Sequence, residues 1–396
     1  MNILVVHNSL MDSTSISGVL KHYAYMANEW IELGHRTDFL IAKAGFPQFQ
    51  ALAPKAGRVS SDNLFDATKY LSKTWSYFPA YGWRCLTAHT TALPRRYDIV
   101  YASGQFIVDV YCARVMALRN QCPWVAKIQH VLASQQQRGG FINGLFLRTE
   151  KLAARWMNDE AGAVMCLSQT VQEDYRQLET DIGLTPTNTI QVGCGVDVEA
   201  LLKTPDADKR FDIAFMGRMH EQKGVFELPD FWQLILRDRP EAKMVVVGEG
   251  PHREPMEAIF RTRNIADSVT FTGGISEEEK NQLLRQSRIG LSLSHEEGWG
   301  LSITEFLALG LPVVAYELPV FQQVFPDQLT LVNRGDVTTA AKQSLALLSD
   351  KRELKRRART GSKFVQRYDY RHIAREELEV LSEVAAGING SSTTNC

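Results

Sequence analysis

Short runs of apolar and β-branched residues alternate with longer stretches whose apolar positions recur every three or four residues. Residues 3–6 form such a run, 19–33 follow with helical spacing, Gly34 closes them, and 36–42 form the next strand candidate. A β-α-β opening of this kind predicts a parallel sheet. The alternation continues with strands expected at 98–102, 124–129, 163–167 and 190–192, and helices at 106–118 and 171–178. A turn-rich stretch, 193–197, and a polar one, 203–210, interrupt it. A second series then places strands at 212–216, 244–247, 269–272, 289–293, 313–315 and 329–332, with clear helices at 276–285 and 340–348.

The pattern predicts an α/β protein of two Rossmann-like parallel-sheet domains facing each other across a cleft. The first spans 1–196 and the second 197–368; a charged amphipathic helix at about 369–386 packs back on the first, and the small, polar stretch 387–396 is expected to be a disordered tail. A chain of 396 residues suits that division. Open α/β sheets bind ligands beyond the carboxyl ends of their strands, so the loops there are where chemistry is sought.

Composition removes several function classes. With 44% hydrophobic residues, 22% charged residues and a net charge of -1, the chain lacks the polyelectrolyte signature of a nucleic-acid binder. Cys85, Cys112, Cys122, Cys166, Cys194 and Cys396 show no C-x-x-C spacing, which points to reduced thiols and away from zinc. The first residues read as a strand rather than a signal peptide, and no apolar run reaches the roughly 18 residues of a membrane span. A cytoplasmic location is the resulting expectation.

Four motifs follow strands of the second series. Ser294-His-Glu-Glu-Gly-Trp-Gly-Leu-Ser-Ile-Thr-Glu305 leads from a strand into a helix. Its glycines permit close backbone approach and its helix start favours an anion. Two carboxylates, Glu297 and Glu305, flank the turn and suit vicinal hydroxyls. Ser302 to Glu305 also has the form of a capping box, which would reduce Glu305 to a helix cap. Met216-Gly-Arg-Met-His-Glu-Gln-Lys-Gly224 puts Arg218 and Lys223 on a glycine-flanked loop, suited to a diphosphate whose charge grows as it departs. Val245-Val-Val-Gly-Glu-Gly-Pro251 lacks the third glycine of a dinucleotide fingerprint, and Phe271-Thr-Gly-Gly-Ile275 offers backbone groups that could frame a flat base. In the first series, Ser17-Gly18-Val19 opens a helix and His130 follows a strand.

Taken together, Gly217-Arg218-x4-Lys223-Gly224, Gly248-Glu-Gly-Pro251, Phe271-x-Gly273 and Glu297-Gly-Trp-Gly-Leu-x3-Glu305 resemble glycosyltransferase family 4 (group 1), the retaining enzymes of GT-B fold, in order and spacing over roughly residues 190–335. The resemblance implies a retaining transferase that moves a sugar from a UDP- or GDP-linked donor to a hydroxyl acceptor in bacterial surface polysaccharide or lipopolysaccharide synthesis. It implies that Arg218 and Lys223 bind the diphosphate, that Glu297 holds donor-sugar hydroxyls, and that Glu305 binds the ribose. Backbone groups of Gly298, Trp299, Gly300 and Leu301 would contact sugar and phosphate, Gly217 would belong to the donor-binding set, and Gly273, Gly274 and Ile275 would frame the base. From the first domain, Gly18 would approach the diphosphate and His130 the transferred sugar. No metal or cofactor beyond the nucleotide sugar is implied.

Three departures stand out: Ser17 where a glycine is common, Gln129 before His130, and Trp299 where Phe is commoner. Competing readings are a non-catalytic nucleotide-sugar binding protein and an epimerase of GT-B fold. The joint presence of Arg218, Lys223, Glu297 and Glu305 favours transfer. Residues 141–157 interleave apolar residues with Arg148, Lys151 and Arg155, as in a helix that lies on an anionic membrane. That would give peripheral contact with the inner face of the plasma membrane, where a saccharide or lipid-linked acceptor is met.

Overall fold

The computed structural model describes residues 1–8, 18–41, 46–60, 77–132 and 141–387. The end of the tail, 388–396, and Ser17 therefore lie outside the described residues. The chain forms two compact units, Met1–Gly195 together with the segment from Tyr370 onward, and Val196–Asp369.

The first unit contains strands β1 (Asn2–His7), β2 (Arg36–Ile41), β3 (Gly57–Ser60), β4 (Ile99–Ala102), β5 (Trp124–Ile128), β6 (Ala163–Cys166) and β7 (Ile190–Gln191). All pair in parallel, in the order β3-β2-β1-β4-β5-β6-β7, with Val5 opposite both Phe39 and Tyr101. Helices α1 (Gly18–Glu32), α2 (Phe46–Leu52), α3 (Tyr77–Thr87), α4 (Ile107–Asn120), α5 (Phe141–Glu160) and α6 (Gln169–Asp181) occupy the connections. Ile3, Leu4, Val5 and Val6 are all fully buried, which is why β1 reads as an unbroken apolar run rather than an alternating one.

The second unit holds β8 (Phe211–Met216), β9 (Met244–Val247), β10 (Val269–Gly273), β11 (Ser287–Ser292), β12 (Val313–Tyr316) and β13 (Leu329–Val332), parallel in the order β10-β9-β8-β11-β12-β13. Its helices are α7 (Val198–Leu202), α8 (Leu228–Asp238), α9 (Arg253–Thr262), α10 (Glu277–Arg285), α11 (Leu301–Ala308), α12 (Pro319–Val324), α13 (Val337–Ser349) and α14 (Lys351–Phe364). Phe231, Trp232 and Ile235 of α8 join Met244, Val246, Ile289 and Leu291 in one buried core. The sheet order reverses between β8 and β11, which opens a crevice at the carboxyl ends of those two strands.

The last helix, α15 (Tyr370–Ala385), belongs to the first unit and packs along α1. Ile373, Ala374, Val380, Leu381 and Val384 enter the core around Trp30, whose indole nitrogen donates to the Ala374 carbonyl at 2.8 Å. Fully buried Glu377 takes a hydrogen bond from Tyr101 at 2.8 Å and is ion-paired with fully buried Lys127, which also donates to the Gly193 carbonyl at 2.8 Å.

Strand β3 had a weak signal in the chain itself: it is four residues at the sheet edge. The capping box also falls elsewhere than the Ser302 to Glu305 pattern suggests. Helix α11 starts at Leu301 behind Gly300 with no side-chain cap, whereas α10 carries a reciprocal Ser276–Glu279 box.

Candidate active site in the C-terminal unit

Two loops meet at the β8/β11 switch point. The loop after β8 runs through Gly217 and Arg218 into a 3-10 turn, Glu221–Lys223, that ends on Gly224. Gly224 has φ +69°, and a Cβ there would lie 2.2 Å from the Leu293 carbonyl oxygen, so only glycine lets this turn rest on the end of β11. The His295 amide completes the contact by donating to the Gln222 carbonyl at 2.9 Å.

This docking brings Lys223 to Glu297. Their side chains form an ion pair, and Ser294 donates a second hydrogen bond to the same carboxylate oxygen at 2.9 Å. The Lys223 stem lies over Gly217, with Cγ 3.6 Å from where a Cβ would stand. Both charged side chains keep some solvent access, 24% for Lys223 and 13% for Glu297, so a ligand can reach them. Arg218 is exposed on the same loop, and its guanidinium donates to Gln222 at 3.4 Å.

The loop after β11 then turns through half-buried Gly298 to Trp299 and Gly300. Gly300 has φ +109°, and a Cβ there would stand only 3.0 and 3.1 Å from the rings of Phe321 and Phe325, so glycine suits the position. The missing side-chain cap at this helix start leaves the first amides of α11 without such a partner, the arrangement an anion accepts. The Trp299 indole is buried and packs edge-on against Tyr368 at 5.0 Å.

Glu305, on the first turns of α11, is buried beside Lys280 of α10, whose ammonium lies 2.5 Å from it and 2.9 Å from Glu277. Lys280 holds the carboxylate in place and balances its charge, a role that no motif in the chain signals. The loop after β10 places buried Gly273, exposed Gly274 and half-buried Ile275 at the same sheet edge. It is tied to the loop after β9 by a bridge between Gly248 and Gly273, next to the Glu249–Arg253 ion pair at 2.9 Å.

Gly18 and His130 stand in the other unit. Gly18 is the exposed first residue of α1, and His130 follows β5, half-buried and edge-on to Phe106 at 6.1 Å. Near the ends of β1 and β4, His7 is buried and hydrogen-bonded to Ser103 at 2.7 Å, and burial pushes its imidazole down to about 4, so it is neutral at physiological pH. Among the described residues no three His, Cys, Asp or Glu side chains gather as metal ligands. The chain's one Asp-x-Asp triplet, Asp206 to Asp208, lies in the polar stretch before β8, where Asp206 is 98% exposed and pairs with Arg285 at 3.4 Å.

Two parallel sheets, with a lysine, two carboxylates and an uncapped helix start at the switch point of the second, define an α/β protein of GT-B architecture. Residues 199–364 match the family described as glycosyl transferases group 1. Among curated relatives, a GDP-mannose:cellobiosyl-diphosphopolyprenol alpha-mannosyltransferase of Xanthomonas oryzae pv. oryzae is 24% identical over 196 residues, 48% of this chain and 51% of that one. A phosphatidyl-myo-inositol mannosyltransferase of Propionibacterium freudenreichii is 31% identical over 40% of each chain. The chain thus spans about half the length of the curated relatives it matches. Among solved structures, Anabaena HepE in complex with UDP and glucose has a TM-score of 0.75 at 18% identity, covering 97% of this chain and 100% of that one. Sucrose-phosphate synthase of Thermosynechococcus elongatus scores 0.76 at 17% identity, covering 98% and 100%.

Proposed function

We propose that the protein is a retaining glycosyltransferase that takes a sugar from a UDP- or GDP-linked donor to an acceptor hydroxyl. The observation that carries this reading is the Lys223–Glu297 pair, held by Ser294 beside Arg218 and the uncapped start of α11. Arg218 and Lys223 would bind the diphosphate and stabilise the charge it gains on departure. Glu297 would exchange its bonds to Lys223 and Ser294 for bonds to donor-sugar hydroxyls. Glu305, oriented by Lys280, would take the ribose, and backbone groups of 273–275 the base. In the N-terminal unit we assign Gly18 to the diphosphate and His130 to the transferred sugar. Relatives named for GDP-mannose and a similar fold solved with UDP and glucose support a nucleoside-diphosphate donor.

In this mechanism the bond from the anomeric carbon to phosphate breaks as the acceptor oxygen bonds to the same face, and the hydroxyl proton passes to a phosphate oxygen. No cofactor or metal takes part, because cationic side chains and helix amides meet the leaving charge. A covalent glycosyl-enzyme trapped at Glu297 would replace this version with double displacement.

The acceptor is proposed to be a saccharide or lipid-linked sugar of a bacterial surface polysaccharide or lipopolysaccharide, reached from the cytoplasmic face of the membrane. Helix α5 exposes Arg148, Lys151, Leu152 and Arg155 along one face, while Ala153, Ala154 and Met157 are buried. Exposed Leu118 and Arg119 lie on α4, which packs on α5, and exposed Trp83 and Leu86 on α3, which packs on α4. Cationic and apolar side chains of this kind suit an anionic bilayer surface.

A thermal-shift screen of UDP-, GDP- and ADP-sugars tests the donor. One base class should raise the melting temperature, and the stabilising donor should then be hydrolysed slowly, and faster with acceptor, in the presence of EDTA as in its absence. No stabilisation by any of the three, or activity abolished by EDTA, would count against the proposal.

A further inference from the structure

Behind the Lys223–Glu297 pair lies a second set of side chains. Glu227 ends the 3-10 turn Val225–Glu227 that begins directly after Gly224. One of its carboxylate oxygens is 2.9 Å from Nε2 of His295, and the other accepts the Tyr316 hydroxyl at 2.5 Å. His295 belongs to the loop after β11, two residues before Glu297, and Tyr316 is the last residue of β12, fully buried in the core. Burial, together with the bond to Glu227 and its charge, holds the Tyr316 phenol far above its ordinary pKa, so it stays a donor.

We infer that Glu227 is a positioning residue, clamping the turn that carries Lys223 to the loop that carries Glu297 through Tyr316 and His295. The inference rests on the donor-site reading above and extends it to side chains that reading leaves unused. A rigid core residue at one end matters physically. Both ligand-binding loops leave strand ends, and without a tie between them Lys223 and Glu297 would have to be reordered each time a diphosphate bound. The backbone bond from His295 to Gln222 fixes their spacing, and the carboxylate with its two partners fixes their orientation.

The test is titration of the full-length protein with UDP and with GDP by calorimetry, alongside melting temperatures. Glu227→Ala should weaken the bound nucleotide about tenfold, and Tyr316→Phe, which keeps the ring and loses the hydroxyl, about threefold, with binding stoichiometry unchanged. Loss of fold instead would lower the stoichiometry and leave the affinity of the remaining fraction untouched, which Tyr316→Phe distinguishes if Glu227→Ala is unstable. Because Glu227 acts through Lys223, the Lys223→Ala/Glu227→Ala double variant should bind no more weakly than Lys223→Ala alone. Wild-type affinity in Glu227→Ala and Tyr316→Phe, or effects that multiply in the double variant, would overturn the clamp while the donor site stands. If the wild type binds neither nucleotide, or Lys223→Ala binds as well as wild type, the donor-site reading falls and the clamp with it.

Discussion

At the residue scale, Glu297 accepts from both Lys223 and Ser294, so its charge is satisfied before any ligand arrives. A donor must displace these bonds with better ones, which ties binding to the hydroxyl pattern of the sugar. Lys223→Ala and Glu297→Ala should therefore each reduce turnover by at least on the order of a hundredfold while far-ultraviolet circular dichroism stays native. Near-normal rates in either variant would remove these residues from the site. Glu305 differs because it is buried beside Lys280 of another helix. Lys280→Met would take the Lys280 charge away from that carboxylate and should destabilise the protein by about 3 kcal/mol in denaturant melts. Adding Glu305→Gln to Lys280→Met should recover much of the loss, and no recovery would show that the lysine acts through packing alone.

At the scale of elements, α15 is distant in sequence from the sheet it covers, and its attachment is both apolar and ionic. Burial alone would raise the Glu377 carboxyl, but the Lys127 charge and the His22 contact overcome it and hold it at about 2 against an ordinary 4.5. A depressed carboxyl stabilises the fold above its unfolded pKa and loses that contribution as pH falls through its folded one. Stability should thus decline between about pH 4.5 and 2, and Glu377→Gln should lose much of that dependence. At neutral pH, Glu377→Ala leaves Lys127 buried and unpaired, and a loss of about 3–5 kcal/mol is expected by chemical denaturation. A neutral effect would mean that water or another group solvates Lys127.

At the scale of the whole molecule, α5 presents a cationic face whose inner residues are packing. Flotation with vesicles containing anionic lipid should carry the protein upward at low salt, and 0.5 M salt or the triple change Arg148→Glu, Lys151→Glu, Arg155→Glu should release it; about 1 kcal/mol per basic residue is at stake. Equal flotation on neutral vesicles would assign the contact to Trp83, Leu86 and Leu118 instead. No flotation on either would end the membrane proposal. Among the described residues no helix is long and apolar enough to cross a bilayer.

The chain's own pattern determined the two parallel sheets and the loops that carry Arg218, Lys223, Glu297 and Glu305, because strand periodicity and glycine-flanked turns are local properties. Tertiary structure alone decided which of those side chains meet. Lys223 and Glu297 are 74 positions apart and Lys280 and Glu305 are 25 apart, and no local rule reports an ion pair across such distances. Glu227, His295 and Tyr316 have no motif between them and come together only because β8, β11 and β12 are neighbours in the sheet. The same holds for Lys127 and Glu377: a charge in the middle of an apolar strand looks like a defect until the last helix of the chain folds back to supply its partner.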